Sequence, residues 1–315
     1  MLFLFLYFQN SFKFSYELGI KKHEHENEVR IRTSNLDISK NVTNYYFLSD
    51  ASGKVTIIHA ETYDKFKSYD LPEISFSIVA IVNQTSYNIN LLNGIISSTS
   101  LNNIMSGSVK WTSVGSFPPE SRWIRNSAAV NGSSIYFVTY GGYLYVFDTI
   151  SRTTTKLGVV GGIDHYASLL VIGGTLYIHK YSSLYLYNGA TVDTILTPKE
   201  RHNAGLFGLG EKVCRVGGNM TDVYPDPVDC YDPSTETWID ANYINEARWY
   251  PGIVTTESKT VVFGGYAAFE RGDASFWRSS VEVLDYETNV WSYVSTELTE
   301  GQEYIQALFF SYPQS

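Results

Sequence analysis

Three times along this chain an arginine stands 16 positions before a Gly-Gly pair: Arg125 before Gly141-Gly142, Arg201 before Gly217-Gly218, and Arg248 before Gly264-Gly265. Four positions after each arginine sits a small residue, Ala129, Gly205 or Gly252. A spacing kept in three copies makes the chain a repeat, and a repeat constrains the architecture before any single residue is weighed. Whatever one copy folds into, the others fold into as well.

A second landmark lies downstream. Tyr231 leads by seven positions to Trp238, Leu284 to Trp291, Ile104 to Trp111 and His59 to Phe66. In two worn copies Phe147-Asp148 leads to Thr154, and Tyr187 leads to Thr194. The positions 66, 111, 154, 194, 238 and 291 are separated by 45, 43, 40, 44 and 53 residues, so there are six units, the last lengthened by an insertion. Each unit divides into four short apolar runs. In the third they cover 126–130, 134–139, 143–147 and 153–157, with Asn131-Gly132 as the first turn. Asn-Gly suits a two-residue hairpin because both positions adopt positive φ at little cost. In the fourth unit the glycines move to the first turn, Gly173-Gly174; Lys180-Tyr181 take the double-glycine place and Asp164 the arginine place. No stretch of ten or more residues shows a 3.6-residue apolar period with capping residues, so no substantial helix is expected. Aromatic residues make up 15% of the 315, with 25 Tyr among them, and such residues fit a pleated, half-buried surface.

Arg, a small residue, apolar-Gly-Gly, then Tyr-Asp-Pro and Trp at this period resembles the kelch repeat. Residues 201–238 match it closely, 248–291 match around the insertion, and 125–157 match without the Trp. The resemblance implies an all-β fold, a six-bladed β-propeller of four-stranded kelch-type blades at about 43–70, 73–115, 122–158, 162–197, 200–241 and 247–296. The first blade shows three strands. The apolar tail at 303–310, EYIQALFF, is expected to supply its missing innermost strand and so close the ring, removing a free sheet edge. Gly141, Gly142, Gly217, Gly218, Gly264, Gly265, Tyr231, Asp232, Trp111, Trp238 and Trp291 are then residues that build blades.

The amino-terminal segment, 1–42, stands outside the repeats. Its apolar run Leu2 to Phe8 is too short to span a bilayer. It reads either as the core of a signal peptide covering 1–15 or as an ordinary apolar strand; no Lys or Arg precedes it and no small-x-small cleavage site follows. A charged linker, KKHEHENEVR, comes next. Four Asn-x-Ser/Thr sequons occur, at Asn41, Asn83, Asn131 and Asn219, about the number that composition alone produces. By themselves they carry no argument for export. The formal net charge of -9 repels a phosphate backbone, which argues against nucleic acid as a partner.

Functional residues on a repeat scaffold sit on its loops. Arg125, Arg201 and Arg248 open their blades and read either as structural or as a rim for acidic or carbonyl groups. His202, Trp249 and Tyr250 adjoin them, as do Arg122 and Trp123 in the third unit. The insertion at 266–280 carries Phe269, Arg271, Phe276, Trp277 and Arg278, residue types that dominate interface hot spots. Cys214 and Cys230 fall on the second and third strands of blade five; they read as reduced core thiols, with a disulfide the better reading if the chain is exported. Some kelch-like propellers are copper radical oxidases, which need two His and two Tyr converging with a Cys-linked Tyr. Here His165 and His202 share a register but bring no metal motif, and His59 and His179 complete the histidines of the repeat region. The reading is therefore a non-catalytic, monomeric module that holds a protein partner on its loop rim, with a substrate-recognition role in view. It needs no cofactor, no metal and no membrane span. A cytoplasmic location is set against a secreted or surface propeller that binds an extracellular protein or a glycan.

Overall fold

The structure, a computed structural model, describes residues 42–50, 52–71, 74, 77–120, 125–126, 128–161, 166–180, 183–218, 228–266, 277–294, 298 and 305–313. The repeated runs form short strands that pair antiparallel with their sequence neighbours within each blade. Six sheets result. Blade two is Ser77–Val82, Thr85–Asn90, Ile95–Ser100 and Thr112–Ser116. Blade three is Ala129–Asn131, Ser134–Val138, Tyr143–Asp148 and Thr153–Val159. Blade four is Tyr166–Ile172, Thr175–Lys180, Ser183–Tyr187 and Val192–Ile195, and the short strand Arg125–Asn126 joins it in parallel on Tyr166 and Ala167. Blade five is Gly205–Leu209, Lys212–Val216, Asp229–Asp232 and Thr237–Asp240. Blade six is Gly252–Thr255, Lys259–Phe263, Val281–Asp285 and Val290–Tyr293.

Blade one closes the ring. Its order is Gln306–Pro313, Val42–Ser49, Lys54–His59 and Lys65–Asp70, so the carboxy-terminal strand is innermost, three residues later in the chain than the run at 303–310. The first strands of blades two to six and this closing strand meet in cyclic order around the centre. Small residues let them approach. A Cβ on Gly205 would lie 2.1 Å from Ile253 Cδ1 of the next blade, and one on Gly252 2.6 Å from Ile305 Cγ2. In these two blades the small residue four positions after the arginine is thus the hole that receives its neighbour's side chain.

The apolar core lies between blades rather than within them. Tyr45 and Phe47 of blade one meet Val79 of blade two, and Tyr46 and Leu48 meet Val254 and Phe263 of blade six. Phe207 and Cys214 of blade five pack on Val262, Leu284 and Trp291 of blade six, and Tyr177 and Leu184 of blade four on Leu206 and Tyr231 of blade five. The Trp landmark bridges backwards across the same seams: Trp291 meets Phe207 edge-on at 6.0 Å, and Trp238 Nε1 donates to Leu196 O at 2.8 Å. The Asp of the Tyr-Asp landmark seals the turn that follows. Asp148, Asp232 and Asp285 accept N–H groups two or three residues on; the Ser151 N–H for Asp148, the Ser234 hydroxyl and then its N–H for Asp232, and the Thr288 N–H for Asp285 hold each carboxyl below its ordinary range, Asp148 at about 2.

The register departs from expectation in four places. In blade one Ile58 pairs with Lys65 and Ile57 with Lys67, so Phe66 falls at a bulge and is not opposite His59. In blade two a six-residue helix, Leu101–Ser106, follows the third strand, N-capped by Ser100 and closed by Gly107 in the left-handed region. Ile104 lies in that helix rather than at a strand end, so Trp111 has no cross-strand partner there, although it still packs on the seam with blade one. In blade four Tyr187 pairs with Val192 and Thr194 with Tyr185, a shift that follows from the turn at Asn188-Gly189. In blade three the first turn is Gly132-Ser133, because Asn131 still pairs with Ser134.

Candidate functional site

In each antiparallel blade the first strand starts, and the second ends, at the same face of the ring. The repeated arginine lies at that junction. Arg201 Nη1 donates to Gly217 O at 3.0 Å, and Arg248 Nη1 to Gly264 O at 2.8 Å. The 16-residue spacing is this bond. Each guanidinium also meets an acid on the third strand: Arg201 Nε lies 3.2 Å from Asp229, and Arg248 Nη2 2.7 Å from Glu282. Arg215 grips Asp229 with two nitrogens, at 2.9 and 2.8 Å, and stacks over Trp238 at 4.4 Å. Arg201 is 2% exposed and Arg248 0%. Of the two readings open for these arginines, structural or rim, this geometry favours the structural one for Arg201 and Arg248, because a guanidinium with carbonyl and carboxylate partners is held inside by them. The acids escaped the sequence reading. Their signal was an acid two positions before Tyr231 and Leu284 in the two best-kept copies.

The double glycine completes the clasp. Gly217 and Gly218 have φ of 75° and 72°, and a Cβ would lie 2.2 Å from Arg248 O and 2.4 Å from His202 O. No L side chain fits that conformation and that approach together. Gly218 N–H donates to Arg248 O at 3.0 Å, so this bond also ties blade five to blade six.

With the arginines inside, aromatic side chains form the face. Trp249 and Tyr266 exchange two backbone hydrogen bonds, each 2.8 Å, and Tyr266 bridges in turn to Trp277. The Trp249 and Tyr266 ring centroids are 6.0 Å apart, and those of Tyr266 and Trp277 4.8 Å. Tyr250 sits beside them at φ 53° and meets buried Tyr166 edge-on at 5.3 Å. Trp249, Tyr250, Tyr266 and Trp277 are all half-buried. Tyr266 belongs to this cluster but was singled out only as the start of the insertion. Arg278 is drawn inward: its N–H donates to Gly265 O at 2.7 Å, and its guanidinium pairs with Glu246 at 3.3 Å. His202 is half-buried, 3.1 Å from Glu200. The backbone of Arg125 pairs with Tyr166, while its side chain, and Arg122, Trp123, Asp164, His165, Tyr181, Phe269, Arg271 and Phe276, lie outside the described residues, as do the calls on 1–41.

Cys214 and Cys230 stand directly opposite each other on neighbouring strands, fully buried, with Cα atoms 3.9 Å apart and sulfurs joined at 2.00 Å. The reading as reduced thiols is corrected on that geometry. Of the described histidines, His59 lies in blade one, tilted on Tyr45 and edge-on to Phe66, while His179 and His202 belong to the neighbouring blades four and five. Among the described residues no three His, Cys, Asp or Glu side chains are grouped to hold a metal ion, and no helix is long and apolar enough to cross a membrane.

These features define a six-bladed β-propeller whose arginine clasps lie inside, next to a half-buried aromatic cluster. A kelch-motif family model matches residues 248–296, the blade that carries the aromatic cluster. The chain is similar to kelch-repeat proteins. It is 24% identical over 151 residues to an F-box/kelch-repeat protein of Arabidopsis thaliana, covering 46% of this chain and 47% of that one. It is 32% identical over 74 residues to Kelch-like protein 28 of Homo sapiens, covering 21% of this chain and 13% of that one. The chain thus spans less than half the length of these curated relatives. The solved structure of YjhT superposes with a TM-score of 0.57 over 72% of this chain and 85% of that one, at 13% identity, a likeness of fold.

Proposed function

We propose that this propeller is a non-catalytic interaction module that holds a protein partner on the face where its blades begin. The observation that carries the reading is the half-buried group Trp249, Tyr250, Tyr266 and Trp277 on that face. Large aromatic side chains lose little conformational entropy on binding and supply most of the energy at interface hot spots. The clasp of Arg248 with Glu282 and Gly264 ties together the strand ends next to them, so part of the cost of ordering the face is met on folding. The likeness to kelch-repeat relatives supports an interaction role of this general kind, and recognition of a substrate for another protein is one form of it.

Partner capture from the tissue that expresses the chain tests the reading. Wild-type protein is compared with Trp249→Ala and Trp277→Ala, and with Glu257→Ala in an exposed turn at the opposite end of blade six. A partner retained by wild type and Glu257→Ala but lost from both tryptophan variants supports the aromatic face. A partner retained by all four proteins sinks it.

A further inference from the structure

We infer that Asn83 and Asn131 are acceptors for N-linked glycans, carried side by side on the face of the ring opposite the aromatic cluster. Two sequons fall within described residues, Asn83-Gln84-Thr85 and Asn131-Gly132-Ser133. Chance would scatter them over strands, seams and turns alike. Both instead fall at the hairpin that joins the first strand of a blade to the second, in blades two and three, which are neighbours. Asn83 and Gln84 form a two-residue turn with φ of 47° and 61°, closed by the pair Val82 and Thr85. Asn131 ends its strand opposite Ser134, immediately before Gly132. Both asparagine side chains are exposed. A bulky sugar at either would extend into water without entering a seam between blades. The second strand of each blade runs from this turn toward the face where the repeated clasps and the aromatic cluster lie. A glycan here therefore leaves the aromatic face clear.

The cysteine pair is an independent pointer to the same compartment. The chain has two cysteines, and they are joined across neighbouring strands in the interior of blade five. Disulfides persist where the surroundings are oxidising, in the secretory pathway and beyond the cell. That is also where N-linked sugar is added. In the transfer, the Asn Nδ2 atom loses a proton and bonds to the anomeric carbon of an oligosaccharide; the bond from that carbon to a lipid diphosphate breaks, and the lipid diphosphate leaves. In the oxidation, two thiols give up two protons and two electrons to the disulfide of a thiol oxidoreductase.

The test uses the full-length gene product, expressed from its natural start in cultured insect cells. Glycopeptide mass spectrometry is expected to find sugar on the peptides that contain Asn83 and Asn131. Asn83→Gln and Asn131→Gln should each remove one sugar chain from the intact mass. Thr85→Ala, which keeps the asparagine and deletes the hydroxyl of its sequon, should remove the same chain as Asn83→Gln. Alkylation of unreduced, denatured protein should label neither Cys214 nor Cys230. Recovery of either asparagine peptide without sugar overturns the assignment, including the case in which only Asn41 or Asn219 is modified. So does alkylation of both cysteines. The partner reading is judged separately, because the Asn83→Gln, Asn131→Gln double variant leaves Trp249 and Trp277 in place and should capture what wild type captures.

Discussion

Fully buried on the second strand of blade four, His179 lies near three groups that disfavour its protonated form. Burial acts first, Arg215 second, and Arg201 and His202 add to them; together they push the imidazole down to about 3. In the unfolded chain the same ring titrates near 6.5. Between those values the unfolded state binds one proton more than the native state, so stability falls as pH drops through the window from about 6.5 to about 3. The slope from this one residue is about 1.4 kcal/mol per pH unit. A His179→Gln variant lacks it. Urea unfolding at pH 6.5 and pH 4.5 should therefore show wild type losing about 2 kcal/mol more than the variant over that interval. Parallel pH profiles for the two proteins would reject the account. Nothing in the sequence around His179 separates it from the other histidines, because its environment comes from Arg201 and Arg215 of the next blade. Asp232 was legible for the opposite reason: it accepts its hydrogen bonds from Ser234, two residues on.

At the scale of strands, the clasp explains why some landmarks survive and others wear away. Arg201 and Asp229 are 28 residues apart and Arg248 and Glu282 34, the difference being the insertion in blade six. The bond from arginine to glycine carbonyl keeps 16 residues in both, since it spans only the first two strands. A fixed spacing can be read from a sequence; a partner beyond a loop of variable length cannot, and so the acids were missed. The same blindness left a rim role open for Arg201 and Arg248 beside the structural one. Their position at the blade start was legible, but the side chain turns toward a carboxylate two strands away. Trp111 failed differently, because a local signal, Ser100 capping a short helix, outweighed the register of the repeat. Asp229 sits between two buried guanidinium groups. Asp229→Ala is expected to cost about 3–5 kcal/mol, the penalty of leaving a buried charge without its partner. Arg215→Met combined with Asp229→Ala should cost less than Asp229→Ala alone, because one of the stranded charges is then gone. Guanidinium chloride unfolding measures both, and a loss under about 0.5 kcal/mol in Asp229→Ala would remove the clasp from the account of stability.

The whole ring depends on a strand that belongs to no repeat. Gln306–Pro313 pairs along its full length with Val42–Ser49, which makes blade one a sheet built from both ends of the propeller. Its Gln306 side chain accepts the Val79 N–H at 2.7 Å and donates to Ser77 O at 2.7 Å, so one amide joins the inner strands of blades one and two as a peptide group would. Ile305, on the other side, fills the space that Gly252 leaves in blade six. Three blades therefore meet on about ten residues. The architecture was readable because the count of units and the missing strand of blade one pointed to the apolar tail, even though the register was off by three. Deleting 301–315 removes these contacts and uncovers the edge of Val42–Ser49, with the otherwise buried Tyr45, Tyr46, Phe47 and Leu48 beside it. The truncated chain is expected to melt at markedly lower temperature and to associate through that edge, as unpaired strands do. Ring closure through this strand also predicts partial recovery when a synthetic peptide covering 301–315 is added in excess, since the peptide restores the innermost strand by mass action. Calorimetry with and without the peptide reads both effects. A truncated chain that melts with the full chain, or a strand peptide that leaves its melting temperature unmoved, would mean that the ring is closed by contacts other than this strand.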